Sequence, residues 1–397
     1  MSRRVVIVGA SAAGVAVAET LQRLAPDCEI VMVGDESDIA HDRPPLSKQL
    51  LQGVWQPGQA ELLPPSRRQE MTAKLIFGRR ATGLDAAGRE LRLDDGATLT
   101  FDDLVIATGV HPRMLPGSHP KGVHVLRDLK DCESLRAAML AAPQSRLAVV
   151  GGGFIGLEVA ASARKMGYAV TVIEPDPGRL AARIGQTTSD RLLGLHRAQG
   201  VDFKLHVGVS GFTPDSNGNV RAVQLSDGSS IESSVVLVAI GCVPSVQWLS
   251  GSTLDISDGV ICDEYCRAAP GIWAAGDVAM WRHVGLDRHI RVEHRLNATD
   301  QGMAVAGNIV GPLTPYTSTP FFWTDQYNIR LQLAGVITDG ADETIEQLGA
   351  ESFLHTFRVG GRLVAVMGWN AAKAMMPFRR ELTLAGQAAA AQHKSTL

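Results

Sequence analysis

Two glycine-rich runs carry the clearest chemistry in this chain. Gly151-x-Gly153-x-x-Gly156 and Gly9-x-Ser11-x-x-Gly14 are each entered by consecutive apolar residues and left by an alanine-rich helical pattern. A strand, a tight turn and a helix start in that order suit a pyrophosphate. The first glycine makes the turn, the second lets the backbone approach, and the third lets the helix pack on its strand. The free N–H groups and positive end of the helix then favour phosphates. Ser11 replaces the second glycine of the first loop and is small enough to keep the backbone close. Gly9, Ser11, Ala12, Ala13 and Gly14 are therefore expected at one nucleotide, and Gly151, Gly153, Phe154, Ile155 and Gly156 at another. Each unit continues into a second strand that ends in an acid, Asp35 or Glu174, at about the 20-residue distance where a carboxylate meets a ribose hydroxyl. Two complete fingerprints mean two dinucleotides. Hydride chemistry needs a carrier that side chains cannot supply, so FAD at the N-terminal loop and a nicotinamide at Gly151 form the economical pairing.

Other residues gather around these loops. In His41-Asp42-Arg43-Pro44-Pro45-Leu46-Ser47-Lys48 the two prolines fix the start of an expected helix and aim Arg43 and Lys48 at defined points near a cofactor. Three apolar strands end in small residues, at Thr108-Gly109, at Gly241 and at Gly276-Asp277, and Asp277 is well placed to accept a polyol hydroxyl.

The elements that must position these groups follow from periodicity. Helices are expected over 15–24, 128–140, 159–166, 187–199 and 298–310, and residues 110–117, with two prolines, read as a linker. A hairpin turns at Asp95-Gly96. Beyond residue 315 alternating strands over 330–334, 353–359 and 363–369 make a small, mostly β unit, and residues 388–397 are expected to be disordered. The fold class is α/β, with two Rossmann-like dinucleotide-binding domains and a small α+β C-terminal domain.

Composition excludes several functions. A chain of 397 residues with net charge −3, 45% hydrophobic and 20% charged, is a globular protein of two or three domains without the basic balance of a nucleic-acid binder. No apolar run approaches the ~18 residues that span a bilayer. Five scattered cysteines argue against metal or disulfide use and for a reducing, cytoplasmic compartment.

The ordered set G-x-S-A-A-G, D-R-P-P-L-S-K, A-T-G, G-G-G-F-I-G-L-E, A-x-G-D and F-F-W-T-D-Q resembles, nearly end to end, the oxygenase-coupled NADH-dependent ferredoxin reductases of the glutathione-reductase-like flavoproteins. The resemblance implies a discontinuous FAD domain (1–112 and 245–314), an inserted NAD domain (113–244) and a C-terminal domain (315–397). It implies that Asp35 binds the adenosine ribose and that Ala81 lies near the adenine. Arg127 then lies near the FAD pyrophosphate, Asp277 holds the ribityl chain, and Lys48 pairs with Glu158 beside the flavin N5. Trp323 matches an aromatic beside the flavin. Glu174 selects NADH by repelling a 2′-phosphate, a preference that Arg179 or Arg183 would soften. Arg295 departs from the pattern, since that position is usually Trp or apolar; it either stabilises charge on reduced flavin or points to solvent. The implied partner is an iron–sulfur ferredoxin serving a P450 or Rieske oxygenase, docked through cations such as Lys373, Arg379 and Arg380.

Two flavoprotein alternatives differ in chemistry. A disulfide reductase or peroxidase needs a redox cysteine after the first unit, and residues 35–48 contain none. A rubredoxin or monodehydroascorbate reductase shares every cofactor feature, because the acceptor leaves little trace. An apoptosis-inducing-factor-like protein, with a mainly interacting role, would share the fold.

Overall fold

A computed structural model describes residues 2–37 and 40–396, with the backbone alone for 393–396. The strand Arg4–Val8 lies inside a six-stranded sheet, flanked by Glu29–Gly34 on one side and Asp103–Ile106 on the other, both parallel to it. The strand Ile272–Ala274 joins this sheet beside Asp103–Ile106, although the whole central part of the chain separates them in sequence. A second parallel sheet has Leu147–Val150 between Val170–Glu174 and Val235–Val238. Both glycine loops therefore leave the strand at which the order of a parallel sheet reverses, which is where open α/β sheets bind ligands. Apolar runs such as Val5, Val6 and Ile7, and Leu147, Ala148 and Val149, are fully buried because both faces of each sheet are covered, one by helices and the other by a small antiparallel sheet that brings in Leu84 and Leu91 in the first unit and Val223 and Leu225 in the second.

The expected linker at 110–117 contains a short strand. Val110–Pro112 pairs antiparallel with Cys242–Pro244, so the two crossings between the sheets run side by side. The helix expected after Pro44 and Pro45 is instead a series of irregular turns through residue 53. One of them closes from Lys48 N–H onto the Pro45 carbonyl at 3.1 Å. The bonds that follow mix spans of five and four residues, from Leu50 N–H to the Pro45 carbonyl at 3.0 Å and from Gln52 N–H to the Lys48 carbonyl at 2.9 Å, so no single helical ladder forms.

The C-terminal sheet has five antiparallel strands, of which Phe321–Gln326 is one edge and Asp342–Gly349 the other. Asp342–Gly349 escapes a periodicity reading because all eight of its residues are exposed. One face of this sheet packs on residues of the central unit, among them Leu157, Ile184 and Leu192, and the other packs on a long helix, Ala372–Thr396. That helix corrects the expectation of a disordered tail. Its run Ala388-Ala389-Ala390-Ala391 consists of the strongest helix former, and the helix is already seeded by its packed first half. Leu397 lies outside the described residues.

Candidate functional site

The site is built where the first loop, the proline motif, the second loop and the C-terminal edge strand meet. The helices Ala12–Leu24 and Phe154–Lys165 both start without a side-chain cap and without an acid in their first turn. Their first N–H groups are thus left for a ligand, and a phosphate is the group that such ends favour. The glycines test the fit. A Cβ on Gly14 would stand 1.9 Å from the Gly9 carbonyl oxygen, and one on Gly156 would stand 2.1 Å from that of Gly151. A Cβ on Gly153 would meet nothing within 4 Å. The first and third glycines are therefore forced by packing within the protein, while the second faces open space of the kind a pyrophosphate fills. Both loops fit dinucleotides.

Around the first loop, Gly276 would place a Cβ 3.1 Å from that of Ala13, so the Gly276-Asp277 turn lies against the first helix. The Arg127 guanidinium is 3.3 Å from Asp277 Oδ2 and 3.1 Å from where a Gly109 Cβ would lie, and the Thr108 hydroxyl donates to the Ser245 carbonyl at 2.9 Å. Burial pushes the Asp277 carboxyl above the usual range, against the pull of Arg127. Arg43 ion-pairs with Glu36 at 2.6 Å and donates to the Arg127 carbonyl at 2.8 Å. Asp35 follows the second strand and lies 3.6 Å from Arg80, the residue before Ala81. Asp277 thus meets Arg127 beside the start of the first helix, and Asp35 meets the residue before Ala81.

At the second loop, Glu174 accepts from Gly152 N–H at 2.7 Å and from Asp176 N–H at 2.8 Å, which holds its carboxylate at the mouth of the turn. Arg179 is taken up by Asp176 at 3.3 Å, Arg183 is exposed, and Gly241 accepts from Arg113 N–H at 2.9 Å. The Phe154 ring lies 4.6 Å from that of Phe322, and Ile155 is exposed.

The two halves meet at Glu158, which is only 8% exposed. Its Oε2 accepts from Lys48 Nζ at 2.6 Å and from the Ser47 hydroxyl at 2.5 Å, and its Oε1 accepts from the Thr324 hydroxyl at 2.6 Å. Lys48 also donates to the Pro44 carbonyl at 3.0 Å. Sequence reasoning named the pair and missed Ser47 and Thr324, although both lie inside quoted motifs; the signal was a hydroxyl beside each motif's ionic or aromatic residue. Trp323 points the other way. Alternation along its strand puts it on the face of Phe321, with ring centroids 6.5 Å apart.

Arg295 does not point to solvent. It ion-pairs with Asp42 and donates to the Thr299 hydroxyl at 2.5 Å, with its side chain 25% exposed. Its charge is neutralised locally and ties the helix Arg295–Val310 to the proline motif. Among the cations suggested for docking, Lys373 and Arg380 are exposed, whereas Arg379 lies 4.1 Å over the Phe321 ring. The five cysteines are all free, and burial pushes Cys132, Cys242 and Cys266 up to about 12, far from a reactive thiolate.

Two switch-point loops, each fitted to a dinucleotide, and a buried ion pair that joins the proline motif to the second loop's helix define an oxidoreductase that works through bound cofactors. Residues 3–302 match the family described as pyridine nucleotide-disulphide oxidoreductase, and residues 321–395 match the reductase C-terminal family. The chain belongs to the first of these families, in the group of ferredoxin–NAD reductases. It is 34% identical to rhodocoxin reductase of Rhodococcus erythropolis over 95% of this chain and 89% of that protein. It is 36% identical to the ferredoxin–NAD(+) reductase subunit of the benzene 1,2-dioxygenase system of Pseudomonas putida, over 94% and 90%. Among solved structures, the covalent putidaredoxin reductase–putidaredoxin complex matches with TM-score 0.88 at 32% identity, over 96% of this chain and 93% of that one. No helix among the described residues is long and apolar enough to cross a membrane.

Proposed function

We propose that this chain takes electrons from NADH at the Gly151 loop, through FAD at the Gly9 loop, and delivers them to an iron–sulfur ferredoxin serving a P450 or Rieske oxygenase in the cytoplasm. The observation that carries this reading is the Glu158–Lys48 contact, which ties the NADH loop's helix to the FAD loop's proline motif. Bound FAD supplies the hydride acceptor and the change from two-electron to one-electron chemistry. The chain supplies orientation and electrostatics.

In this reading residues 1–112 and 245–314 hold FAD, 113–244 hold NADH, and 315–397 close the site. Asp35 takes the adenosine ribose beside Ala81, Arg127 faces the pyrophosphate and Asp277 takes the ribityl hydroxyls. Lys48 keeps a positive charge beside the ring system, and Glu158 holds that ammonium in place. Glu174 takes the NADH ribose and excludes a 2′-phosphate. Lys373 and Arg380 steer an acidic ferredoxin.

The test is an anaerobic one. NADH should bleach the flavin absorbance of the FAD-loaded protein, and an oxidised [2Fe–2S] ferredoxin should restore it while becoming reduced. Slow bleaching with a lasting charge-transfer band, and no ferredoxin reduction, would instead support an interaction role. Reoxidation by rubredoxin alone would move the acceptor class.

A further inference from the structure

A chain of buried hydrogen bonds leaves Glu158 on the side away from Lys48. Thr324 Oγ1, which donates to Glu158, accepts from Gln326 Nε2 at 3.0 Å. Gln326 Oε1 is 2.6 Å from His196 Nε2, and the Tyr327 hydroxyl is 3.2 Å from His196 Nδ1. Thr324, Gln326 and His196 are each 1% exposed or less. The direction of every bond follows. The Gln326 amide N–H is spent on Thr324, so its oxygen faces the imidazole and can only accept. His196 must then carry its proton on Nε2, and Nδ1 accepts from Tyr327. All donors point one way, toward the Glu158 carboxylate.

The route also crosses domains. His196 is on the helix Gln186–Ala198, Thr324 and Gln326 share one face of the edge strand Phe321–Gln326, and Glu158 is on the helix Phe154–Lys165. Dry, aligned dipoles polarise one another, so the chain acts on Glu158 as a unit. A neutral imidazole is what this chain requires, and burial pushes His196 down to about 4.

We propose that His196 and Gln326 are positioning residues for the Lys48–Glu158 pair, fixing the carboxylate through Thr324 so that the ammonium stays aimed at the flavin site. This rests on the function proposed above and adds the C-terminal unit to its machinery.

Two measurements test it. The first reads His196 itself by 15N NMR of the imidazole. Lys48→Met should shift the Nε2 resonance, and should not do so when Gln326→Leu interrupts the chain. A His196 resonance indifferent to Lys48→Met in the folded protein would overturn the proposal. The second is flavin reduction by NADH. Gln326→Leu and His196→Phe should slow reduction at saturating NADH about tenfold, with KM nearly unchanged. His196→Gln, which keeps a donor for Gln326, should recover most of the rate. Equal rates in all three variants, with wild type reduced normally, would sink the positioning role alone. A wild type not reduced by NADH would instead sink the reading of the site.

Discussion

Glu158 Oε2 stands 2.6 Å from Lys48 Nζ, across the boundary between two nucleotide loops. Neither group is left half-satisfied, because Ser47, Thr324 and the Pro44 carbonyl complete their hydrogen bonds. A buried pair of this kind adds little net stability over an apolar pair, but breaking one partner leaves an uncompensated charge. Its value lies in geometry, since it fixes the helix Phe154–Lys165 against the turns of the proline motif.

The glycines separate packing from ligand binding. Gly156→Ala must push a methyl into the Gly151 carbonyl oxygen, so it should destabilise the protein by about 1–3 kcal/mol. Gly153→Ala meets open space and should leave the thermal midpoint near wild type while raising KM for NADH. Thermal melts beside NADH titrations check both. A Gly153→Ala protein that loses stability but binds NADH normally would reverse the assignment.

Most of the fold was legible because its signals are local. Strand, glycine turn and helix are adjacent in sequence, and fully buried parallel strands read as unbroken apolar runs. The edge strand Asp342–Gly349 carries no such signal, being exposed on both faces. The site was half legible. Asp35 and Glu174 follow from spacing, but the bonds from Thr324 to Glu158 and from Arg295 to Asp42 join residues remote in the chain. A single sequence holds no record of which distant side chains meet.

Glu174, held at the mouth of the second loop, is proposed to bear the coenzyme preference. Gln at this position keeps an acceptor for Gly152 N–H and removes the charge that repels a 2′-phosphate. Glu174→Gln should lower the ratio of kcat/KM for NADH over NADPH by about tenfold, or roughly 1.4 kcal/mol. Steady-state kinetics with both coenzymes check it, and an unchanged ratio would place the discrimination elsewhere.

Stability should fall on mild acidification. His196 ionises near 4 in the folded protein and near 6.5 when exposed, so between these values the unfolded state binds the extra proton. Its contribution is whole above pH 6.5 and is lost as pH falls toward 4, amounting to about 2 kcal/mol at pH 5. His355 acts in the same direction, since burial lowers it despite the opposing pull of Glu343. Urea unfolding at pH 7 and pH 5 should show the loss, and His196→Gln should show a smaller one. Equal slopes in the two proteins would remove His196 as its source.

The most direct measurement is anaerobic stopped-flow reduction of the flavin by NADH in wild type and Lys48→Ala. Lys48 joins the proline motif to Glu158 on the second loop's helix and touches neither glycine loop, so the variant should retain FAD and be reduced at least tenfold more slowly. Retention of FAD with an unchanged reduction rate would contradict the role given to the Lys48–Glu158 pair.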